Sequence, residues 1–410
     1  MPEPRDTAPR FGRVLAAEGV SNFGAMLSRL AIPFFATLVL AATPLQMSLL
    51  LVADVLAAAL GSLWLGVWVD RSGKRAVMLA CDGLRALVLA ALAWGAWSGS
   101  IGFVALLVAS ALNGVLTMGF ELARSAWMAQ SVEAADLPRR NAQLSVAGSL
   151  SETVAFAAGG WLYQGLGAAL SLAVDALSYI ASALCLTGVR EPPVAPQEPS
   201  GEPRGWRGLL AEATAGLRTV GEHPSLRTIA GIEVLVAAGI SLTGSCVMVF
   251  VTRDLGFETG PLGMIFALGG LGAVVGGALA PALGRRLGAG RAMALGLAML
   301  ALGAAFTPMA TQAGLLAMGL LAAQQIVGDC GHVVHEVHDR TLRQTSVPEA
   351  LLARADAGIR SAGQCATLAG ALFGGVIGTW VGTRSVLVLA AGLFAMAAWL
   401  ALRGLAPRHR

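Results

Sequence analysis

Gly66-Val-Trp-Val-Asp70-Arg71-Ser-Gly73-Lys74-Arg75 decides the fold class of this 410-residue chain. The stretch lies between two long apolar segments and gathers one acid, three bases and two glycines. Two hydrophobic helices joined by a short basic loop make a membrane hairpin whose turn stays on the cytoplasmic side. Gly73 permits a sharp backbone turn. Gly66 removes the side chain that would hold a neighbouring helix at a distance.

Composition agrees. The chain is 56% hydrophobic and 13% charged, with a mean hydropathy of +0.71. A soluble domain carries about 25% charged residues. Lys74 is the only lysine, and the arginines are scattered over many short loops. That pattern is not a nucleic-acid surface. A net charge of +4 suits a cytoplasmic face beside anionic lipid. Cys81, Cys185, Cys246, Cys330 and Cys365 all fall inside apolar segments without a C-x-x-C spacing. Neither a disulfide framework nor a thiolate zinc site follows, and no cofactor or metal is expected. No ATP-binding P-loop occurs, which argues against primary pumping. The polar residues 1–10 lead into an apolar span without a cleavage site, read as a retained first helix.

A membrane helix needs about 20 mostly apolar residues. Twelve candidates follow: 14–40, 45–69, 75–97, 101–129, 141–163, 169–189, 227–251, 261–283, 290–309, 313–338, 355–379 and 384–403. Pro33, Pro281 and Pro308 mark kinks or helix ends. Arginines concentrate in the N-terminus, the 70–75 turn, residues 139–140, the 190–227 region, residues 285–291 and 340–354, and the tail, whereas the opposite loops hold only Arg253 and Arg384. The positive-inside rule then places both termini in the cytoplasm. Glu191 to Arg204 is rich in proline and polar residues and reads as a flexible linker. Trp206 to Glu222 reads as an amphipathic helix on the inner membrane surface, with Leu209, Leu210, Ala213, Leu217 and Val220 on one face. The expected organisation is an N-terminal six-helix bundle (1–189), a cytoplasmic linker (190–226) and a C-terminal six-helix bundle (227–410).

The chain repeats itself at an offset of about 215 residues. Glu18 matches Glu233, Gly24 matches Gly239, Phe35 matches Phe250 and Glu121 matches Glu336. Arg139 matches Arg354, Gly148 matches Gly363, Gly159-Gly160 matches Gly374-Gly375 and Gly167 matches Gly382. The 66–75 turn has a worn counterpart at 277–286, shifted by four residues, with Pro281 where Asp70 stands. Two parallel six-helix halves are the signature of a two-bundle transporter with its site between the halves.

The spacing G-x-x-x-D-R-x-G-K-R of the turn resembles the loop between helices 2 and 3 of major facilitator superfamily transporters. Most of the chain also resembles one bacterial branch, exporters similar to the enterobactin exporter and macrolide-efflux proteins. The residues that carry this likeness are Ser21-Asn-Phe-Gly24, Asp70-Arg71, Asp82-x-x-Arg85, Ala123-Arg-Ser-Ala126, Asp175-Ala-Leu-Ser178-Tyr179, Gly216-Leu-Arg218, Thr341-Leu-Arg-Gln344 and Pro348. Ala25 stands where many relatives carry Asp, and Ala155-Phe156 stands where the antiporter pattern has Gly-Pro. The resemblance implies an all-α polytopic protein of twelve helices in two pseudo-symmetric bundles. It implies export of a small, partly hydrophobic molecule, drug- or siderophore-like, coupled to proton entry by alternating access. The expected setting is a monomer in the bacterial inner membrane, with protons, a small-molecule substrate and lipids as partners and no enzymatic activity. Gly66, Asp70, Arg71, Gly73, Lys74 and Arg75 form its expected gating loop. That loop clasps the inner ends of helices 4 and 11, with Arg124 and Arg360 as cations near Asp70 and the bases facing anionic lipid or acids of neighbouring loops.

A charge at mid-membrane is costly unless paired or hydrated, so each one needs a reason. Arg29 lies roughly 16 Å and Asp54 roughly 12 Å from the outer ends of their helices. They read as an ion pair, either gating the cavity or bridging helices. Glu152 lies some 16 Å into helix 5 with no base at its depth. It reads as a proton carrier or as a neutral acid bonded to a neighbouring helix. In helix 10, Asp329, His332, His335, Glu336 and Asp339 share one arc at about 100° per residue. Such groups handle protons, could ligate a divalent metal, or form a polar helix end in water. His335-Glu-Val-His338 is not H-E-x-x-H, so no hydrolase is implied. Arg29, Asp54, Glu152, His332, His335 and Glu336 are the cavity candidates. Glu18, Glu233 and the i,i+3 pairs Glu121–Arg124 and Asp82–Arg85 read as structural latches. A divalent-metal or lysolipid transporter, or a non-transporting sensor or scaffold, remains the alternative.

Overall fold

The computed structural model describes residues 8–133, 135–189 and 206–405. The proline-rich 191–204 stretch lies outside them. The helices are α1 (Ala8–Phe34), α2 (Pro44–Arg71), α3 (Lys74–Ser98), α4 (Phe103–Ser131), α5 (Leu137–Thr187), α6 (Trp206–Glu222), α7 (Pro224–Val249), α8 (Thr259–Leu287), α9 (Ala289–Met309), α10 (Leu315–Ser346), α11 (Glu349–Trp380) and α12 (Thr383–Gly404).

Ten of the described helices are long and apolar enough to cross a membrane. α5 counts once among them but supplies two spans, because its backbone breaks at Gly167 (φ 74°, ψ −179°). The first arm meets α1 with Ser151 at Gly19 and Gly159 at Leu27 and Leu30, whereas the second meets it with Ser178 at Gly24 and ends with Gly188 at Arg13. Contacts therefore climb α1 along one arm and descend it along the other, which makes α5 a hairpin. α10 completes the set of twelve spans; Asp329, Glu336, Asp339, Arg340 and Arg343 lower its apolarity. It also runs about two turns past the expected end at 338. The i,i+4 pairs Glu336–Arg340 (2.5 Å) and Asp339–Arg343 (2.7 Å) carry it on.

The repeat is visible in three dimensions. Gly167 and Gly382 both take positive φ, 74° and 108°, where a side chain would be strained, and each closes a hairpin. Gly159 faces Leu27 and Leu30, and Gly374 faces Leu242 and Ser245, all at the same offset. A five-residue π-helical turn follows α1 at Phe35–Val39 and α7 at Phe250–Asp254. Pro33 is therefore not its cause, since Met248 stands at the matching place. The counterpart of the basic turn needs no four-residue shift: Gly288 ends α8 as Gly73 ends α2, and Arg285 stands where Asp70 does.

Packing divides the helices into two compact units. One holds α1, α2 from Ala53, α3, α4, α5 and α8 as far as Ala267. Its core gathers Phe11, Val77, Met78, Phe120, Trp127 and Leu186. The other holds α2 as far as Val52, α6, α7, α8 from Leu268, and α9 to α12. Its core gathers Ile232, Leu242, Met293, Leu297, Val386 and Phe394. Lipid is as apolar as leucine, so close packing rather than water exclusion holds such helices together. A methyl group on Gly303 would come within 2.7 Å of Gly328 Cα, and one on Gly296 within 2.7 Å of Gly331 O. α9 and α10 thus cross backbone to backbone. α6 is not free on a surface: Thr219 and Val220 are buried, and Gly216 lies against Gly358 of α11. Leu217 is left exposed, and the side chains of Leu209, Leu210 and Ala213 lie outside the description.

Candidate functional site

The basic turn ties helix ends together. Lys74 is buried, and its Nζ donates to Val69 O (2.7 Å) and Ser72 O (3.3 Å). A cation here satisfies carbonyls that the end of α2 leaves open. Arg75 donates to Leu186 O (3.0 Å) and Thr187 O (2.5 Å), and Arg13 donates to Gly188 O (2.5 Å), so both close the end of α5. Lys74 and Arg75 therefore also bind helix-end carbonyls, while Arg71 is exposed. Two expectations about the glycines fail. Gly73 has φ −61° and ψ 129°, a conformation open to any residue. Among the described residues no neighbour lies within 4 Å of a Cβ at Gly66. The Asp70 side chain lies outside the description, and Arg360 is exposed.

A buried polar network joins α1, α3, α4 and α5. Arg124 reaches across to Glu18 at 3.0 Å and leaves Glu121 exposed, in place of the expected i,i+3 pair. Asp82 and Arg85 do pair, at 3.6 Å, and both are buried. Ser182 donates to Asp82 (2.7 Å), and the Arg85 guanidinium lies over the rings of Phe120 (5.3 Å) and Tyr179 (5.1 Å). Asp175 is fully buried and accepts from the hydroxyls of Ser28 and Ser178. In the sequence, the signal that singles out Asp175 beyond the family resemblance is its place inside the apolar span 169–189.

The second network lies in α7, α10 and α11. Arg343 meets Glu233 (3.0 Å), Asp339 (2.7 Å) and Asp356 (3.8 Å). Glu18 and Glu233 thus play one part twice, each gripping an arginine of the fourth helix in its repeat. The helix-10 arc is not one open surface. His335, His338 and Asp339 are buried, Asp339 is held by Arg343, and Glu336 is held by Arg340. His338 Nδ1 lies 2.8 Å from Val334 O, and the His332 and His335 rings are 6.3 Å apart. Among the described residues no group of three or more His, Cys, Asp or Glu is gathered to hold a metal ion.

Two carboxylates are exposed on helix faces turned away from the exposed apolar rows. On the first arm of α5 the exposed apolar row is Val146, Leu150, Val154 and Trp161. Glu152 is exposed about 165° round the arm from that row at 100° per residue. Glu121 is exposed about 140° from the row Val104, Val108 and Leu112 of α4. Among the described residues neither carboxylate has an ion pair. Arg29 is exposed, with its guanidinium near the Met26 sulfur (3.8 Å) rather than paired with Asp54. Asp54 is half-buried against Gly114, where the charge of Arg29 still reaches it. One turn beyond Glu152, the rings of Phe156 and Phe266 lie 6.5 Å apart.

Away from the basic turn, two helix crossings repeat the 215-residue symmetry. Gly160 of α5 faces Thr259 and Gly263 of α8, and Gly375 of α11 faces Leu45 and Ser48 of α2. Gln164 braces the first crossing, donating to Glu258 (2.7 Å) and accepting from Gly260 N (2.8 Å). Thr379 braces the second, accepting from Leu45 N (3.1 Å).

The sequence matches the family model described as Major Facilitator Superfamily over residues 14–331. A search of curated protein sequences found no match. Solved structures with similar folds include a D323A mutant of the nucleoside transporter NupG. Its TM-score is 0.76 at 14% identity, covering 97% of this chain and 100% of that one. A bacterial homologue of the iron transporter ferroportin, in an inward-facing state, also has a TM-score of 0.76 at 14% identity, covering 96% and 98%. A bacterial homologue of the human lysosomal transporter Spinster has a TM-score of 0.64 at 16% identity, covering 97% and 98%.

Proposed function

Because the chain belongs to the Major Facilitator Superfamily, it is a membrane transporter, and we propose that it exports a small amphipathic compound by alternating access driven by proton entry. The compound is drug- or siderophore-like, as the resemblance to enterobactin-exporter and macrolide-efflux proteins suggests. The observation that carries this reading is Glu152: an exposed carboxylate without an ion pair among the described residues, turned from the exposed apolar row of its helix, one turn from the Phe156–Phe266 pair. An acid beside two aromatic rings offers a polar contact and an apolar one to the same ligand. An intramembrane acid of this kind is also a proton-pathway candidate by default. Arg29 and Asp54 add a second charged patch on α1 and α2. The metal alternative has less support, since α10 commits Asp339 and Glu336 to arginines.

A ligand-stabilisation screen of the purified protein tests the substrate class, because a true ligand raises apparent stability by mass action. Amphipathic compounds should raise the unfolding temperature in a concentration-dependent way. A response confined to divalent cations would replace the reading with metal transport.

Arginine placement supports an orientation with both termini in the cytoplasm of a bacterial inner membrane. Cysteine introduced at Ser100, in the α3–α4 loop, should react with an impermeant maleimide in intact cells. Cysteine at Ser72, in the basic turn, should react only after lysis. The reverse pattern would invert the topology.

A further inference from the structure

Glu18, Asp82 and Asp175 are buried inside α1, α3, α4 and α5, with Arg85 buried among them and Arg124 half-buried at the edge. Glu18 has Arg124 at 3.0 Å, and Asp82 has Arg85 at 3.6 Å. Asp175 has neither. It is wholly buried and touches two hydroxyls, Ser28 from α1 and Ser178 from its own helix. The charged or titratable groups that act on it are Arg85 of α3 and Tyr179 of its own helix, and through these two the cluster extends to Asp82 of α3 and on to Glu18 of α1. Asp82 Oδ1 and Arg85 Nε and Nη2 are buried without hydrogen-bond partners, although Arg85 is only 4% exposed. The two ion pairs are thus already imperfectly satisfied and leave no guanidinium in contact with the third acid. An isolated buried anion is among the least favourable states a protein interior can hold. One proton on the odd acid balances the enclosed charge, and a carboxyl group with a proton can still bond both hydroxyls.

We propose that Asp175 is a proton-holding site of the transporter, separate from Glu152, filled while α1 lies against the second arm of α5. Gly24 is what lets α1 lie so close: a Cβ there would collide with Asp175 Oδ1 and Ser178 Oγ. Parting α1 from that arm removes the Ser28 hydroxyl and opens the carboxyl to water, where the proton leaves. The site thus reads the position of α1 directly. This deepens the proton-coupled reading given above.

Infrared spectroscopy of the protein in lipid nanodiscs tests it without any substrate. The wild type at neutral pH should show a protonated-carboxyl C=O band that moves in D2O and fades as pH is raised. Asp175→Asn should lack this band, and Glu152→Gln should keep it. Ser28→Ala, the milder change, should keep the band but shift it, because the stretch follows the hydrogen bond to that hydroxyl. A band unchanged in both Asp175→Asn and Ser28→Ala would overturn the proposal, as would its absence from the wild type or its failure to move in D2O. Gradient-driven transport is measured separately, so its failure would remove the coupling and leave the band to judge the site.

Discussion

Replacing Arg85 with Leu should destabilise the protein by about 3–5 kcal/mol, the usual loss when one partner of a buried ion pair is removed. Asp82 is fully buried and would keep only the Ser182 hydroxyl. The guanidinium would also vacate its place over Phe120 and Tyr179, adding a packing loss. Reversible unfolding in mixed micelles measures the effect. The double change Asp82→Asn with Arg85→Leu should recover part of the loss, with a coupling of about 1–3 kcal/mol between the two sites. A single-variant loss below about 1 kcal/mol would show that the guanidinium is dispensable to the fold.

Tryptophan at Gly160 or Gly375 should force apart the crossings far from the basic turn. A methyl group alone at Gly160 would come within 2.9 Å of Gly263 Cα, and one at Gly375 within 2.8 Å of Ser48 Cβ. Overpacking of this kind costs about 1–3 kcal/mol at each site. Each 1.4 kcal/mol is roughly a tenfold shift in the balance between closed and open crossings, so the double variant should shift that balance by more than roughly tenfold. Spin labels at Leu166 and Met264, both exposed, report the α5–α8 crossing. Their distance distribution should gain a longer population in Gly160→Trp. An unaltered distribution in a folded variant would mean that this crossing does not open.

Much of this was legible in the sequence because it depends on local or periodic features. The span pattern, the 215-residue repeat and the hairpin glycines Gly167 and Gly382 follow from hydropathy and from backbone sterics. What escaped is tertiary. Arg124 has a carboxylate three residues before it and one across on α1, and only packing decides that Glu18 wins. Lys74 and Arg75 read as facing lipid or acids of neighbouring loops, and only packing shows that the ends of α2 and α5 also present carbonyls to them. Arg29 and Asp54 share a depth, yet rotation of α1 sends the guanidinium toward Met26. Gly66 and Gly73 match a motif without the backbone needs that the motif suggested.

The central claim is that proton entry drives export of an amphipathic compound, with Glu152 taking part. It is tested most directly by flux in proteoliposomes, using the compound that best stabilises the protein. Transport should follow an imposed pH gradient, stop when an ionophore dissipates it, and lose its gradient dependence in Glu152→Gln while binding persists. Flux that is equal with and without the gradient, in wild type and variant alike, would contradict the account.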